Sequence, residues 1–115
     1  MQPTGLRVFI PSKDYAESKA FYQAFGFNME QVSEDLTFFK CGPCEFFLQK
    51  YYNEEFAKNL MLQLIVPDIE ATYKKLEAIE GQSYNYRPIK QEPWGKVIYL
   101  WGPAGELWHI TQLNP

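Results

Sequence analysis

The strongest constraint on how this chain folds is a pattern that occurs twice, with the two copies 54 positions apart. In each copy an aspartate is followed by apolar or small residues that recur at the spacing of one helix face. The paired positions are Asp14 and Asp68, Tyr15 and Ile69, Ser18 and Thr72, Tyr22 and Leu76, and Phe25 and Ile79. Because aspartate caps helix starts and glycine favours helix ends, the pattern with Gly26 and Gly81 predicts two amphipathic helices within an internal repeat.

The sequences around the two predicted helices indicate strands, in the same order in both halves of the chain. Runs rich in β-branched and aromatic residues are separated by turn-forming sequences such as Cys-Gly-Pro-Cys, Pro-Trp-Gly and Gly-Pro-Ala-Gly. The predicted strands span residues 6–10, 27–32, 36–40 and 45–52 in the first half, and residues 61–66, 84–90, 96–101 and 106–112 in the second. Pro88 lies within the sixth of them, and because proline cannot donate to a strand ladder, we expect an edge or a bulge there.

Each half of the chain is therefore predicted to be a βαβββ module, over residues 4–52 and 60–113, with residues 53–59 as the hinge. A module of this size buries too little surface to be stable alone, so we expect both modules to share one core. The prediction is a single α+β domain over residues 1–115, in which tandem modules form a curled, incomplete-barrel sheet around a cleft.

Charge and composition exclude several classes of partner. The net charge of −3 gives no electrostatic attraction to nucleic acid or to an anionic membrane. No apolar run approaches the ~20 residues that span a bilayer, and the first residues lack the features of a signal peptide. Two cysteines only three positions apart cannot crosslink a secreted fold. We therefore expect a cytoplasmic protein that binds neither nucleic acid nor membrane.

The sequence Cys41-Gly42-Pro43-Cys44 has the spacing of a thioredoxin-type redox centre. Such a centre opens a helix, whereas the residues that follow here are aromatic and lack a capping residue. The motif is therefore predicted to be the turn of a hairpin between the third and fourth strands. A thiol oxidoreductase is the third functional alternative for this chain.

Several motifs along the chain resemble those of the glyoxalase / bleomycin-resistance / dioxygenase superfamily, also called vicinal oxygen chelate. The capped helix with Phe21-Tyr22, the turn Phe25-Gly26-Phe27 and the sequence Pro93-Trp94-Gly95 match the family pattern. The family's Asp-Pro-x-Gly-Asn sequence is changed at both ends, since it reads Gly102-Pro103-Ala104-Gly105-Glu106 here. The resemblance covers roughly residues 4–113, and it implies that Tyr22 packs its helix on the sheet.

Metal-dependent members of that superfamily place one ligand on the first and one on the last strand of each module. The equivalent positions fall on Arg7 (or on Leu6 or Gly5 if Pro11–Lys13 includes an insertion), near Gln49, and on Met61 and His109. Only His109 and Gln49 could coordinate a divalent ion, whereas metal sites in proteins rest on three or more ligands. We therefore expect no cofactor and no metal site. A divalent-metal-dependent lyase or dioxygenase of the glyoxalase type, with metal at His109 and Gln49, is the alternative.

The metal-free branch of the family resembles the bleomycin-resistance proteins, and this implies sequestration of a small molecule in an aromatic pocket at the interface of a homodimer. Strand alternation places several residues beside the family's ligand positions. The expected ligand-binding residues are Arg7, Phe47, Gln49, Tyr51, Trp94, Tyr99, Trp101, Leu107, His109 and Thr111. Aromatic walls with a few polar groups suit an aromatic or amphipathic ligand. A lone strand histidine such as His109 also fits a purely structural role.

Overall fold

The computed structural model describes residues 1–81 and 83–115, which form two separate β-sheets and three helices. In chain order the elements are β1 (Val8–Pro11), α1 (Tyr15–Phe25), β2 (Asn28–Ser33), β3 (Leu36–Cys41), β4 (Cys44–Gln49), α2 (Glu54–Asn59), β5 (Met61–Ile65), α3 (Ile69–Ala78), β6 (Asn85–Tyr86), β7 (Lys90–Glu92), β8 (Gly95–Trp101) and β9 (Leu107–Leu113). These elements confirm the predicted α+β fold class. Among the described residues, no helix is long and apolar enough to cross a membrane.

Strand pairing follows the same scheme in both sheets. The first sheet has the order β1-β4-β3-β2, and the second has the order β5-β9-β8-β6, with β7 also paired to β8. In each sheet the strand that precedes the helix pairs in parallel with the last strand, and that last strand pairs antiparallel with the one before it. The repeat seen in the sequence is therefore also a repeat of topology.

Both predicted helices form, and both aspartates cap them as the sequence indicates. The Asp14 side chain accepts a hydrogen bond from the backbone N–H of Glu17 at 3.1 Å, and Asp68 accepts one from Ala71 at 3.2 Å. Each bond satisfies an amide that the first helical turn leaves without a partner. Gly26 ends α1 with a φ of 125°, which a residue bearing a Cβ adopts only at a cost.

The buried face of α1 is wider than the predicted stripe. Ser18, Tyr22 and Phe25 are buried as predicted, whereas Tyr15 is only half-buried. Phe21, which lies outside the predicted stripe, is buried as well. Two adjacent aromatic residues on one helix therefore both reach the core, at ring-centroid distance 5.1 Å.

The buried face of α3 is narrower than predicted. Ile69 and Leu76 are fully buried, whereas Thr72 and Ile79 are half-buried. The helix ends at Ala78, earlier than the predicted glycine stop.

Three predicted elements differ from the structure. Residues 53–59, predicted only as a hinge, contain the short helix α2, whose first turn is capped by the Asn53 side chain through the Phe56 amide at 2.9 Å. The predicted strand 84–90 is replaced by two short strands, β6 and β7, on either side of Pro88. Proline lacks the N–H that a continuous ladder needs, which explains the interruption. The fourth strand ends at Gln49, short of the predicted residue 52.

One apolar core lies between the two sheets and the helices α1 and α3. Its buried members are Ile10, Phe21, Tyr22, Phe25, Phe27, Phe39, Phe46, Leu48, Ile69, Leu76, Ile98, Leu100, Trp108 and Ile110. Phe46 of the first sheet meets Trp108 of the second at a ring-centroid distance of 5.6 Å. The two sheets thus share a single core, as the small size of each half requires.

A buried polar cluster joins the two halves inside this core. The Tyr22 hydroxyl of α1 donates a 2.7 Å hydrogen bond to Glu106 Oε2 and accepts one of 2.9 Å from Trp108 Nε1. Both Tyr22 and Glu106 are fully buried. Burial raises the pKa of the Glu106 carboxyl above its ordinary value of 4.5, and the hydrogen bonds from Tyr22 and nearby backbone amides offset part of that rise. Burial and the neighbouring Glu106 charge raise the pKa of Tyr22 well above 10.0.

The glycine at position 102 provides the space for the Glu106 carboxyl group. A Cβ at Gly102 would lie 2.6 to 2.8 Å from the Glu106 carboxyl atoms, which is closer than real contacts allow. The carboxylate in turn accepts a 2.9 Å hydrogen bond from the Ala104 amide within the same turn. The two departures from the family sequence are therefore coupled. Gly102 has no side chain, and the Glu106 carboxylate occupies the space that a side chain at position 102 would need.

We expect Glu106→Gln to change the pH dependence of stability. Because the pKa of Glu106 is higher in the folded protein than in the unfolded chain, the unfolded chain loses its proton first as the pH rises. This group therefore lowers the free energy of unfolding as the pH rises from about 4.3 through its raised folded-state pKa. Urea unfolding at several pH values between 4 and 8 should show the wild type losing stability relative to Glu106→Gln. Parallel stability curves would contradict the assignment.

We also expect Tyr22→Phe to destabilise the protein by about 1–3 kcal/mol, because it leaves a buried carboxylate and a buried indole N–H without their partner. Urea unfolding at pH 7 measures this loss. Tyr73→Phe is the matched control, since the Tyr73 hydroxyl makes no hydrogen bond among the described residues and the side chain is half-buried. Equal effects of the two substitutions would show that the cluster is not what joins the halves.

Candidate functional site

Each sheet turns one face to the core and leaves the other without a covering layer. In β4, Phe46 and Leu48 are buried in the core, and strand alternation directs Phe47 and Gln49 to the opposite side. In the second sheet, Trp108 and Ile110 of β9 are buried in the same way. The outward residues define two surfaces. The first aromatic face consists of Arg7, Phe9, Phe38, Phe47 and Gln49, and the second aromatic face consists of Met61, Gln63, Arg87, Tyr99, Trp101, Leu107 and His109.

Three phenylalanine rings contact one another in a row on the first aromatic face, with Phe9 stacked on Phe47 and Phe38 tilted by 50° to Phe47. Phe9 and Phe47 are paired across β1 and β4, with ring centroids 4.8 Å apart and planes at 18°. Phe38 faces Phe47 across β3 and β4, with centroids 5.3 Å apart. Phe9 is 43% exposed although its ring is stacked. A groove of about 480 Å³ lies beside the stack, between Phe38, Phe47 and β2. Exposed aromatic rings beside a groove of this size suit a flat ligand.

A guanidinium group lies over this stack. Arg7 Cζ is 5.0 Å from the centroid of Phe38 and 5.6 Å from that of Phe47, within the range of a cation–π interaction. Arg7 Nε is also 3.4 Å from a carboxylate oxygen of Glu45. The cation is therefore held against the rings from one side, while about half of its side chain stays exposed.

The second aromatic face combines rings with an imidazole. Tyr99 and His109 are directly opposite each other on β8 and β9, with an edge-on contact at 5.0 Å and 71°. Trp101 lies opposite Leu107, and Arg87 Cζ lies 5.1 Å from a ring centroid of Trp101. Each aromatic face therefore includes one arginine placed on an aromatic ring.

The His109 imidazole has an unsatisfied nitrogen. Its Nε2 atom is buried and has no hydrogen-bond partner within residues 1–81 and 83–115. Nearby polar groups are occupied elsewhere, since Gln63 donates to the Thr111 hydroxyl at 3.3 Å and Thr111 donates to the backbone oxygen of His109 at 3.1 Å. Buried polar atoms in folded proteins almost always have a partner. Because the side chain as a whole is only half-buried, a turn of the ring toward the open face of the sheet would let a ligand or a second chain supply one.

The remaining predicted residues lie at the margins of the two faces. Thr111 is fully buried beneath Gln63, so its hydroxyl is not on the surface. Tyr51 lies beyond the end of β4 and is exposed, and its backbone oxygen accepts from the Ser12 amide at 2.9 Å. Trp94 is exposed in the turn before β8.

The two predicted metal-ligand positions lie on different sheets of the chain. Gln49 is on the first sheet and His109 is on the second, and no hydrogen bond joins them in the described parts of the chain. Among those residues no three His, Cys, Asp or Glu side chains are grouped so that they could hold a metal ion.

Sequence reasoning missed three residues of these faces. Phe9, Phe38 and Arg87 were not among the predicted ligand-binding residues. The sequence does contain a signal for Phe9 and Phe38. Strand alternation places both on the same side of the sheet as Phe47 once the strand register is known. The register itself could not be read from the sequence.

The family model of the Glyoxalase/Bleomycin resistance protein/Dioxygenase superfamily matches residues 6–110 of the chain. No curated protein sequence matches the chain significantly.

Solved structures with a similar fold include proteins with different described roles. The bleomycin-binding protein from bleomycin-producing Streptomyces verticillus, complexed with copper(II)-bleomycin, is 17% identical, with 99% of each chain covered and a TM-score of 0.82. A bleomycin resistance determinant encoded on the transposon Tn5 is 21% identical, with 98% of this chain and 100% of that chain covered and a TM-score of 0.77. Lactoylglutathione lyase from Agrobacterium tumefaciens is 18% identical, with 96% and 95% covered and a TM-score of 0.72.

These similarities establish a shared fold, and the family match extends over most of the sequence. As the motifs predicted, the chain belongs to the Glyoxalase/Bleomycin resistance protein/Dioxygenase superfamily.

Proposed function

We propose that the protein binds and sequesters a flat, largely aromatic small molecule, without a metal and as a homodimer. The observation that carries this proposal is the partly exposed stack of Phe9, Phe47 and Phe38 with Arg7 over it. Exposed stacked rings are costly in water, and a planar ligand laid against them would recover that cost. The arginine adds a cation that can stack on a ligand ring or pair with an acidic group on it.

The second aromatic face supports the same kind of ligand. Its edge-on pair of Tyr99 and His109 offers one aromatic wall and one hydrogen-bonding nitrogen that has no partner in the described chain. Small-molecule sites typically combine apolar walls with a few polar groups that fix orientation. In the proposed complex, the His109 ring turns toward the ligand and its Nε2 atom provides that orienting contact.

A homodimer would complete the site because neither face is closed within one chain. Met61 and Leu113, on the same side of the second sheet as His109, are 64% and 47% exposed. Uncovered apolar residues of this size on a sheet face favour burial against another surface. A two-fold arrangement that sets the first aromatic face of one chain against the second aromatic face of its partner would cover them and enclose a cavity.

Similar structures suggest the first compound to test. Two of the bleomycin-binding proteins with this fold are described as complexes with bleomycin, and a third similar structure is an antibiotic binding protein from Streptomyces. Bleomycin and a panel of planar heteroaromatic compounds are therefore the probes, with tryptophan fluorescence and thermal shift as readouts.

We expect Phe9→Ala to weaken binding of any compound found in that screen by roughly fivefold to tenfold, because it removes one stacked ring from the first aromatic face. Isothermal titration calorimetry measures the change. Phe56→Ala on α2 is the matched control, since Phe56 is 40% exposed and lies outside both faces, against 43% for Phe9. If both variants bind as the wild type does, the first aromatic face is not the site. A full equivalent of a transition metal in protein purified without chelator would contradict the metal-free part.

We expect Met61→Lys to shift the protein from dimer to monomer, because it places a charge on an apolar surface that the proposed dimer buries. Sedimentation velocity at several concentrations measures the oligomeric state. Met29→Lys is the matched control, because it makes the same chemical change at a residue that is 40% exposed on the edge strand β2. The Met29 side chain lies on the other side of the first sheet from Phe38, and therefore outside the first aromatic face. An unchanged dimer in Met61→Lys, or a wild type that is monomeric at micromolar concentration, would overturn the proposed assembly.

A further inference from the structure

The two cysteines of the chain lie next to each other across a tight hairpin. Cys41 ends β3 and Cys44 begins β4, and the two residues are directly paired in the strand register. Directly opposed residues have their Cβ atoms about 4.5–5.5 Å apart and point to the same side of the sheet. Gly42, with a φ of 58°, and Pro43 form the two-residue turn between them, which fixes this arrangement. Both thiols are free, and Cys41 is exposed.

Both cysteines line an apolar groove of about 400 Å³ that is separate from the two aromatic faces. They lie on the core side of the first sheet, because Phe39 and Phe46, which alternate with the outward residues of the same strands, are buried. Other walls of the groove come from Phe25 and Phe27 and from residues 64–67, at the end of β5 and just after it. Lys75 is the one charged side chain among the described residues that line it.

The number of sulfur ligands limits what such a site can bind. Zinc in structural sites takes four ligands, and no group of three His, Cys, Asp or Glu suited to a metal occurs in the described residues. Thiolates instead prefer soft, thiophilic centres. Trivalent arsenic that carries one organic substituent forms two further bonds, which matches two thiols, and its substituent can occupy an apolar groove.

We propose that Cys41 and Cys44 form a dithiol site for trivalent arsenicals with one small apolar substituent, and that the substituent lies in the groove beside them. With a hydrated monoaryl arsenical, RAs(OH)₂, each thiolate attacks arsenic and displaces one hydroxide. Two As–S bonds form, two As–O bonds break, and the two thiol protons leave with the hydroxides as two waters. Arsenic stays trivalent, so the step needs no oxidant or reductant.

The test uses the full-length protein in its reduced form with phenylarsine oxide as the probe. We expect one equivalent to bind, seen by native mass spectrometry, with loss of both thiols to a chromogenic thiol reagent. Cys41→Ser and Cys44→Ser each keep one thiol, and they should bind at least about 100-fold more weakly, because the second As–S bond forms intramolecularly. Circular dichroism checks that both variants are folded. Single-cysteine variants that bind as tightly as the wild type would overturn the dithiol site.

A second comparison tests the role of the groove. Phenylarsine oxide and inorganic arsenite are each measured in competition with dithiothreitol, so that intrinsic differences in As–S bonding cancel. For each arsenical, the measured quantity is its affinity for the protein divided by its affinity for dithiothreitol. We expect this ratio to be about tenfold or more higher for phenylarsine oxide than for arsenite, because the phenyl ring is removed from water in the groove. Equal competition by the two arsenicals would overturn the proposal. Neither experiment involves the aromatic faces, so its outcome is independent of the proposed ligand function.

Discussion

The hydrogen bonds that Tyr22 makes with Glu106 and Trp108 determine how the two halves of the chain are arranged. Either half alone would bury too little apolar surface, so the halves must share a core, and a shared core of aromatic rings has little directional preference. The buried hydroxyl, carboxylate and indole N–H are hydrogen-bonded to one another, and such bonds have strict requirements of distance and angle. A packing with similar apolar burial that separated these groups would leave them buried without partners, and that penalty disfavours it.

Because the helices and the inner faces of both sheets are used for the shared core, the outer faces are left for binding. Alternation along β4 sends Phe46 into the core and Phe47 out of it, so aromatic residues at adjacent positions serve stability and recognition separately. The stack on the first aromatic face and the Tyr99–His109 pair on the second are consequences of this division. The same division explains why Gln49 and His109 occupy different surfaces of one chain, and why a second chain is needed to complete a cavity in the proposed function.

The sequence predicted the elements of the fold well because their signals are local. The Asp14 and Asp68 caps and the glycine stop of α1 act within one or two helical turns, and the Cys-Gly-Pro-Cys turn is set by its own backbone preferences. The short helix α2 was missed because six residues are too few to show a hydrophobic period, and its capping asparagine looked like part of a polar linker. The close contact between Gly102 and the Glu106 carboxylate could not be predicted. In the sequence, the two residues are only two separate departures from a motif, and nothing indicates that the carboxylate fills the space beside Gly102.

The positions where metal-dependent members of the superfamily carry ligands have a different physical character in this protein. Arg7 is held over two phenylalanine rings, and Met61 is an exposed apolar side chain on the second aromatic face. A guanidinium has no lone pair available for a metal. A thioether is a soft ligand, so it does not suit a hard divalent ion. What both side chains can do is pack against flat, apolar surfaces, since guanidinium groups stack on rings and thioethers adapt to irregular contacts. The residues at these two positions, 54 apart in the sequence, therefore fit ligand stacking and chain association, in agreement with the proposed function.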